Sequence, residues 1–205
     1  MATSKPSGSR FRLLGFLPLA FFTAQAIHYW QTNELGHTLW MCNIGNLLLA
    51  VGLFLEEALL IRVAVIWMLP GLAVWAVYVV PTWGMLLAGE ARLSQFSGVV
   101  ASTLAHVGGL SVGLIVLRKV RMDGRAWFYA FLWYFVVQAL SRLLTPAALN
   151  VNLAHRIQQG WEQTFGNYWK FWCVLTLLTG ICLWILGHLL QRLWPISRES
   201  AAAEL

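Results

Sequence analysis

The chain has 205 residues, 59% hydrophobic and only 11% charged. A soluble domain carries about 25% charged residues, so this composition excludes an ordinary soluble globular domain. The net charge of +6 does not point to nucleic acid, because the positive residues flank hydrophobic segments, where they anchor topology. Apolar runs of about 20 residues, the length needed to cross a bilayer core of about 30 Å, recur along the whole chain. The expected fold is an all-α polytopic membrane protein: a six-helix transmembrane bundle over residues 11–194, with cytoplasmic tails at 1–10 and 195–205.

In chain order, Met1 to Arg10 is polar. Phe11 to Trp30 is the first apolar run. Its basic start and the Ala24-Gln25-Ala26 triplet resemble a signal peptide, but we expect a retained first helix. The second helix is predicted from Leu39 to Leu55, ended by Glu56 and Glu57. The third runs from Arg62 to Val80, kinked at Pro70-Gly71 and ended by Pro81-Thr82. A loop with a short amphipathic piece follows, from Trp83 to Gln95. The fourth helix, Ser97 to Leu117, carries a stripe of small residues: Gly98, Ser102, Ala105, Gly109 and Gly113. Such stripes let helices approach closely in lipid, so this helix is expected at the bundle centre. The fifth is Ala126 to Leu144 and the sixth Lys170 to Trp194. Between them Leu149, Leu153, Ile157 and Trp161 fall four apart, which predicts an amphipathic helix on the membrane surface.

Six spans place both termini on one side. Lys5, Arg10, Arg12, Arg62, Arg118, Lys119, Arg121, Arg125, Arg192 and Arg198 fall on that side; Arg92, Arg142, Arg156 and Lys170 fall on the other. Ten against four puts the termini in the cytoplasm.

The polar residues then gather in the outer half. Cys42, Asn43 and Asn46 open the second helix; Ser102, Thr103 and His106 lie in the fourth; His28 and His37 sit near the first outer loop. Gln138, Ser141 and Arg142 end the fifth helix, and Asn150, Asn152, His155 and Arg156 lie in the last outer loop. Intramembrane ionisable residues are functional candidates by default. Each also has a structural reading: the asparagines as glue between helices, Arg142 snorkelling to the interface, the outer histidines as interfacial residues, and the Asn150–Arg156 run as a helix cap. His106, about nine residues inside its helix, is the hardest to read that way. A thiol needs a base to become a nucleophile, and histidine is the usual one. Cys42 with His106 is the outer-half pair of that type on membrane helices, and Asn43 or Asn46 could donate to an oxyanion. Cys173 and Cys182 read as small apolar side chains, and no Cys/His spacing suits zinc.

The run HTLWMCNIGNLLLAVGLFL looks like the "LPLHLC" helix of the YwaF-type bacterial integral membrane family. That family is similar to an animal transmembrane acyltransferase and, more distantly, to androgen-induced membrane hydrolases of fatty-acid esters. The resemblance, over roughly Thr38 to Arg156, implies a catalytic pair at Cys42 and His106, the latter in STLAHVGG, and an Asn-containing stretch at Asn150 or Asn152. Position 40, where the family has histidine, is Trp here. The expected function is an enzyme acting on lipid acyl chains on the outer-leaflet side, an acyltransferase or lipid-ester hydrolase. Cys42, His106, Asn43 and Asn46 are the candidate catalytic residues. His28, His37, Arg142, Asn150, Asn152 and His155 are candidates for binding substrate. No cofactor or metal is expected; the partners are membrane lipids and other packed helices. Two alternatives stand beside this: a non-catalytic subunit or assembly factor of a membrane complex, and a haem- or ligand-binding bundle in which His28 and His106 face one group.

Overall fold

The computed structural model describes residues 9–89 and 93–195. The tail residues 1–8 and 196–205 lie outside them, as does Arg92. The regular structure of the described chain is helical: α1 (Ser9–Leu14), α2 (Phe16–Gln31), α3 (Met41–Leu55), α4 (Ala58–Leu87), α5 (Leu93–Thr103), α6 (Gly109–Val120), α7 (Ala126–Leu144), α8 (Glu162–Phe165) and α9 (Tyr168–Leu193). A π turn, Leu104–Gly108, joins α5 to α6, and short 3-10 turns occupy Leu35–Leu39 and Val151–Leu153. Five helical stretches are long and apolar enough to cross a membrane: Phe11–Gln31, Ala58–Leu87, Phe96–Val120, Ala126–Leu144 and Tyr168–Leu193. The sixth apolar helix, α3, has 15 residues, about 22 Å at 1.5 Å per residue, which is short of the hydrocarbon core.

The first half of α4 is deeply enclosed, and over their most apolar stretches α4 and the fourth predicted helix, Phe96–Val120, are buried to the same extent. The α4 residues from Ile61 to Met68 are all buried, against Leu49 and Leu53 of α3, Leu110, Val116 and Leu117 of α6, Ala130 and Tyr134 of α7, and Leu183 of α9. Trp67 fixes the α7 contact by donating its indole N–H to the Ala130 carbonyl at 2.8 Å. Eight consecutive buried side chains leave no lipid-facing stripe on this half of α4. Its second half shows Val74, Val77, Tyr78 and Val80 to the surroundings.

Pro81 does not end α4, contrary to the expectation; the helix continues to Leu87. The Thr82 hydroxyl donates back to the Tyr78 carbonyl at 3.0 Å, one residue on from the Val77 carbonyl that Pro81 cannot serve. The extension is also anchored: Trp83 donates to Thr103 Oγ1 at 3.1 Å. The surface helix expected around Leu149 to Trp161 is absent from the described residues. Asn150, Asn152 and Leu153 have φ of 45°, 52° and 58°, a left-handed path that the asparagines accept readily. Two such asparagines, with side chains that bond backbone, override the four-residue hydrophobic repeat.

The small-residue stripe faces other helices as expected. Gly98 packs under the His28 ring and Gly113 against Val65, while Gly108, outside the stripe, packs under Phe21. A Cβ at Gly109 would fall on Asn46 Oδ1 and 2.6 Å from Met68 Cε. Gly45 and Gly52 do the same for α3 against Met68 and Ile61 of α4. At the opposite end of the bundle, Arg62 donates to the carbonyls of Arg121 at 2.8 Å and Val120 at 3.0 Å, closing the C-terminus of α6. Nearby, the Met122 N–H donates to the Trp194 carbonyl at 2.7 Å, tying the α6–α7 turn to the end of α9.

Gly109→Leu is expected to destabilise the protein by about 1–3 kcal/mol or more, because Asn46 and Met68 must both move. A thermal melt in detergent reads this as a lowered midpoint relative to wild type, whereas Gly84→Leu, with nothing packed within 4 Å of where its Cβ would stand, should melt like wild type.

Candidate functional site

The candidate residues separate into two groups at the end of the bundle that carries residues 31–41 and 145–167. The first group is a clamp. Asn152, buried, accepts the Met41 N–H on Oδ1 at 3.1 Å. Its amide donates to the Leu39 carbonyl at 2.7 Å and to Ser141 Oγ at 2.8 Å, and its own carbonyl accepts from Gln138 at 2.7 Å. The first amides of a helix have no partner within it. Here a side chain 111 residues away supplies one.

The other loop residues hold Asn152 in place. Asn150 Oδ1 accepts the N–H groups of His155 and Arg156, at 3.2 and 3.0 Å. Thr145 donates its hydroxyl to the Ser141 carbonyl at 2.6 Å, so His155 Nε2, 3.3 Å away, is the donor to Thr145 Oγ1. Arg142 donates to the Ala154 carbonyl at 2.7 Å and spreads its guanidinium over the rings of Tyr168 and Trp169, 5.3 and 5.5 Å from their centres. That is a cation–π seat for a planar cation rather than a snorkelling arginine. Arg142, Asn150, Asn152 and His155, all candidates for binding substrate, thus spend polar atoms on the loop itself.

The second group lies deeper, where α2, α3, α4 and the π turn meet. Asn43 and Asn46, three residues apart, share one face of α3. The Asn43 amide donates to the His37 carbonyl at 3.0 Å. Asn46 donates to the Cys42 carbonyl at 3.1 Å and, across the helix interface, to the Ala105 carbonyl at 2.8 Å. Both Asn46 amide hydrogens are therefore engaged, and its Oδ1 is pressed against Gly109. An oxyanion-donor role for Asn46 would require one of these bonds to break. The π turn is a widened stretch of the helical ladder, and Asn46 inserts where it occurs.

His106, the next residue, is buried. Its Nδ1 lies 2.8 Å from the Ser102 carbonyl. A carbonyl only accepts, so Nδ1 carries the proton and, in the neutral ring, Nε2 presents a lone pair. Trp75 of α4 stacks on this ring at 4.9 Å and 11° and donates to Ser102 Oγ at 2.7 Å. Cys42 packs its Cβ against Gly71, one turn before Trp75. Cys42 and His106 thus stand against successive turns of one face of α4. No protein group bonds His106 Nε2, so the Cys42 thiol does not.

His37 lies 3.5 Å from Glu34 and meets Tyr29 edge to face at 5.3 Å. The Tyr29 phenol shares its surroundings with Gln25, Asn43 and Cys42. The His28 ring covers Gly98. Eight residues along a helix separate that position from His106, about 12 Å, so these two histidines do not face one iron. Among the described residues no group of three or more His, Cys, Asp or Glu is assembled that could hold a metal.

The sequence reading missed Gln25, Tyr29 and Trp75. Gln25 carried a signal, a lone amide in the first apolar run. Trp75 carried none, because its partners lie on another helix. No protein-family model, curated protein or solved structure matches the chain.

Asn152→Ala should leave the Met41 N–H, the Leu39 carbonyl and Ser141 Oγ without partners, at about 1–3 kcal/mol for each buried group. The expected result is a lowered melting midpoint together with faster amide hydrogen exchange at the start of α3, around Met41 to Asn43. Exchange unchanged there would mean that Asn152 does not hold the helix end.

Proposed function

We propose that the protein is a six-span membrane protein with cytoplasmic termini, acting on lipid acyl chains through the α2–α3–α4–π turn cluster, which this orientation sets toward the outer leaflet. The orientation rests on charge. Arg12, Arg62, Arg118, Lys119, Arg121, Arg125 and Arg192 belong to one end of the bundle, and Arg142, Arg156 and Lys170 to the other. In this reading α3 completes its span with the 3-10 turn Leu35–Leu39.

The observation that carries the chemistry is the placement of Cys42 of α3 and His106 of the π turn against adjacent turns of α4, with the lone pair of Nε2 uncommitted. In acyl transfer, Nε2 takes the thiol proton as Sγ attacks an ester carbonyl and returns it to the departing alkoxide; water or a second alcohol then releases the acyl group. The two side chains must close to hydrogen-bond distance when substrate is bound, as catalytic pairs in resting enzymes commonly do. The deciding experiment compares the lipids of cells carrying wild type, Cys42→Ser or His106→Gln at matched protein levels. Acyl-chain changes that require both residues are expected. Identical lipid profiles for all three would remove the cysteine mechanism. A reporter fused after Leu205 should be active only in its cytoplasmic form.

One observation favours a second reading, a ligand-binding bundle. The cluster gathers buried polar atoms that the protein itself leaves without partners.

A further inference from the structure

Among the described residues, four buried side-chain polar atoms have no hydrogen-bond partner in the protein: Gln25 Oε1, Asn43 Oδ1, Asn46 Oδ1 and His106 Nε2. All four belong to the one cluster. Their residues are 2%, 1%, 0% and 6% exposed, so bulk solvent does not reach them freely. Buried polar groups are nearly always paired, and four exceptions in one place call for a common partner.

The four atoms also share a sign. The amide ends of Asn43 and Asn46 are oriented by bonds to carbonyls, which can only accept, so their oxygens are left as acceptors, that of Asn46 lying against Gly109. His106 Nδ1 is likewise committed to the Ser102 carbonyl, which leaves Nε2 as an acceptor. Beside the Tyr29 phenol, which interacts with Gln25 and Asn43, the cluster thus holds more acceptors than donors. Phosphate, carboxylate or a lone ester carbonyl would meet lone pairs with lone pairs. An ammonium group would supply donors but would lie buried without a counter-charge. Of the acidic side chains described, Glu34 pairs with His37, Glu56 with Arg12, Asp123 with Arg125, and Glu162 accepts the Gly160 N–H; Glu57 lies at the start of α4, at the far end of the bundle. Hydroxyl groups answer the need at no charge. The cluster also lies one side chain behind an apolar surface, since Leu104 and Val107 on either side of Ala105–His106 are 43% and 45% exposed.

We propose that this cluster binds the hydroxyl-bearing, uncharged head of a membrane lipid, a glycerol-type diol whose two O–H groups donate among Gln25, Asn43 and His106 while its acyl chain lies along α4 and α5. The proposal rests on the cluster being the working site, and it specifies the substrate class. His106 Nε2 would then receive a hydroxyl of the bound lipid.

The test uses the full chain in phosphatidylcholine nanodiscs with radiolabelled monoolein as the probe. Chain-matched competitors are methyl oleate, oleoyl lysophosphatidate and oleylamine. Saturable monoolein binding is expected, resisting a tenfold excess of each competitor. Gln25→Leu should weaken it at least fivefold and, by removing an unpaired buried acceptor, raise the melting midpoint of the ligand-free protein. Gln25→Met, close to glutamine in length, serves if the leucine variant does not fold. Equal binding of monoolein and methyl oleate would overturn the proposal, as would unchanged monoolein binding in the Gln25 variants, which would mean that water alone serves these atoms. A lowered midpoint would also overturn it, by making Gln25 a structural residue. Diol binding with unchanged lipids in Cys42→Ser cells would retain this inference and remove the acyl-transfer chemistry; altered lipids without diol preference would do the reverse.

Discussion

A backbone amide at membrane depth must find a partner inside the protein, because lipid offers none. In this fold that constraint falls on the start of α3. The helix itself is about 22 Å long, short of the hydrocarbon core, and its first N–H groups face the 145–167 connection. Asn152 supplies the missing acceptor to Met41, and the rest of the 145–167 connection is shaped to deliver that one side chain. Left-handed backbone at Asn150 and Asn152, and at Leu153, where it is strained, is the cost of the delivery. Because Cys42 and Asn43 follow Met41 directly, the loop on the far side of the sequence sets the position of the cluster's α3 members.

Close helix approach and polar burial depend on each other here. Asn46 reaches the Ala105 carbonyl only because Gly109 leaves space for its Oδ1. The bond that joins α3 to the π turn therefore also turns an unpaired oxygen toward the interior. A side chain that simply glued the helices would not need to leave that oxygen unmatched, and three neighbouring residues repeat the pattern. Interhelical hydrogen bonds of this kind contribute modestly in membranes, around 0.6 kcal/mol on average. That is less than the typical cost of an unsatisfied buried acceptor.

Much of the helical layout was legible in the sequence, because apolar run length reports spans directly. α7 begins and ends where its hydrophobic run does, and the small-residue stripe reported close contact correctly. What escaped was decided by tertiary contact. Pro81 reads as a stop, yet Trp83 and Thr103 hold the helix beyond it. The Leu149, Leu153, Ile157, Trp161 spacing reads as a helix, yet asparagine side chains compete for the backbone. Among the candidate residues, Cys42, Asn43, Asn46 and His106 do share one region, because depth along each helix follows from counting. Which asparagine donates and which accepts follows only from the facing carbonyls, which carry no sequence signature. The same limit hid Trp75, whose role is defined by a ring on another helix.

The unequal lengths of α3 and α4 have a consequence for the surrounding lipid. α4 has 30 residues, about 45 Å, and packs along α3, about 22 Å. A bilayer of uniform thickness cannot match both. On the α4 side, tilt or a thicker leaflet accommodates the excess; on the α3 side, the membrane thins or the polar loop is drawn inward. In a bilayer this mismatch would set up a thickness gradient around the protein's perimeter. Lipids with short or disordered chains would gather where α3 begins, beside the cluster, and the head groups there would sit lower than in the unperturbed leaflet.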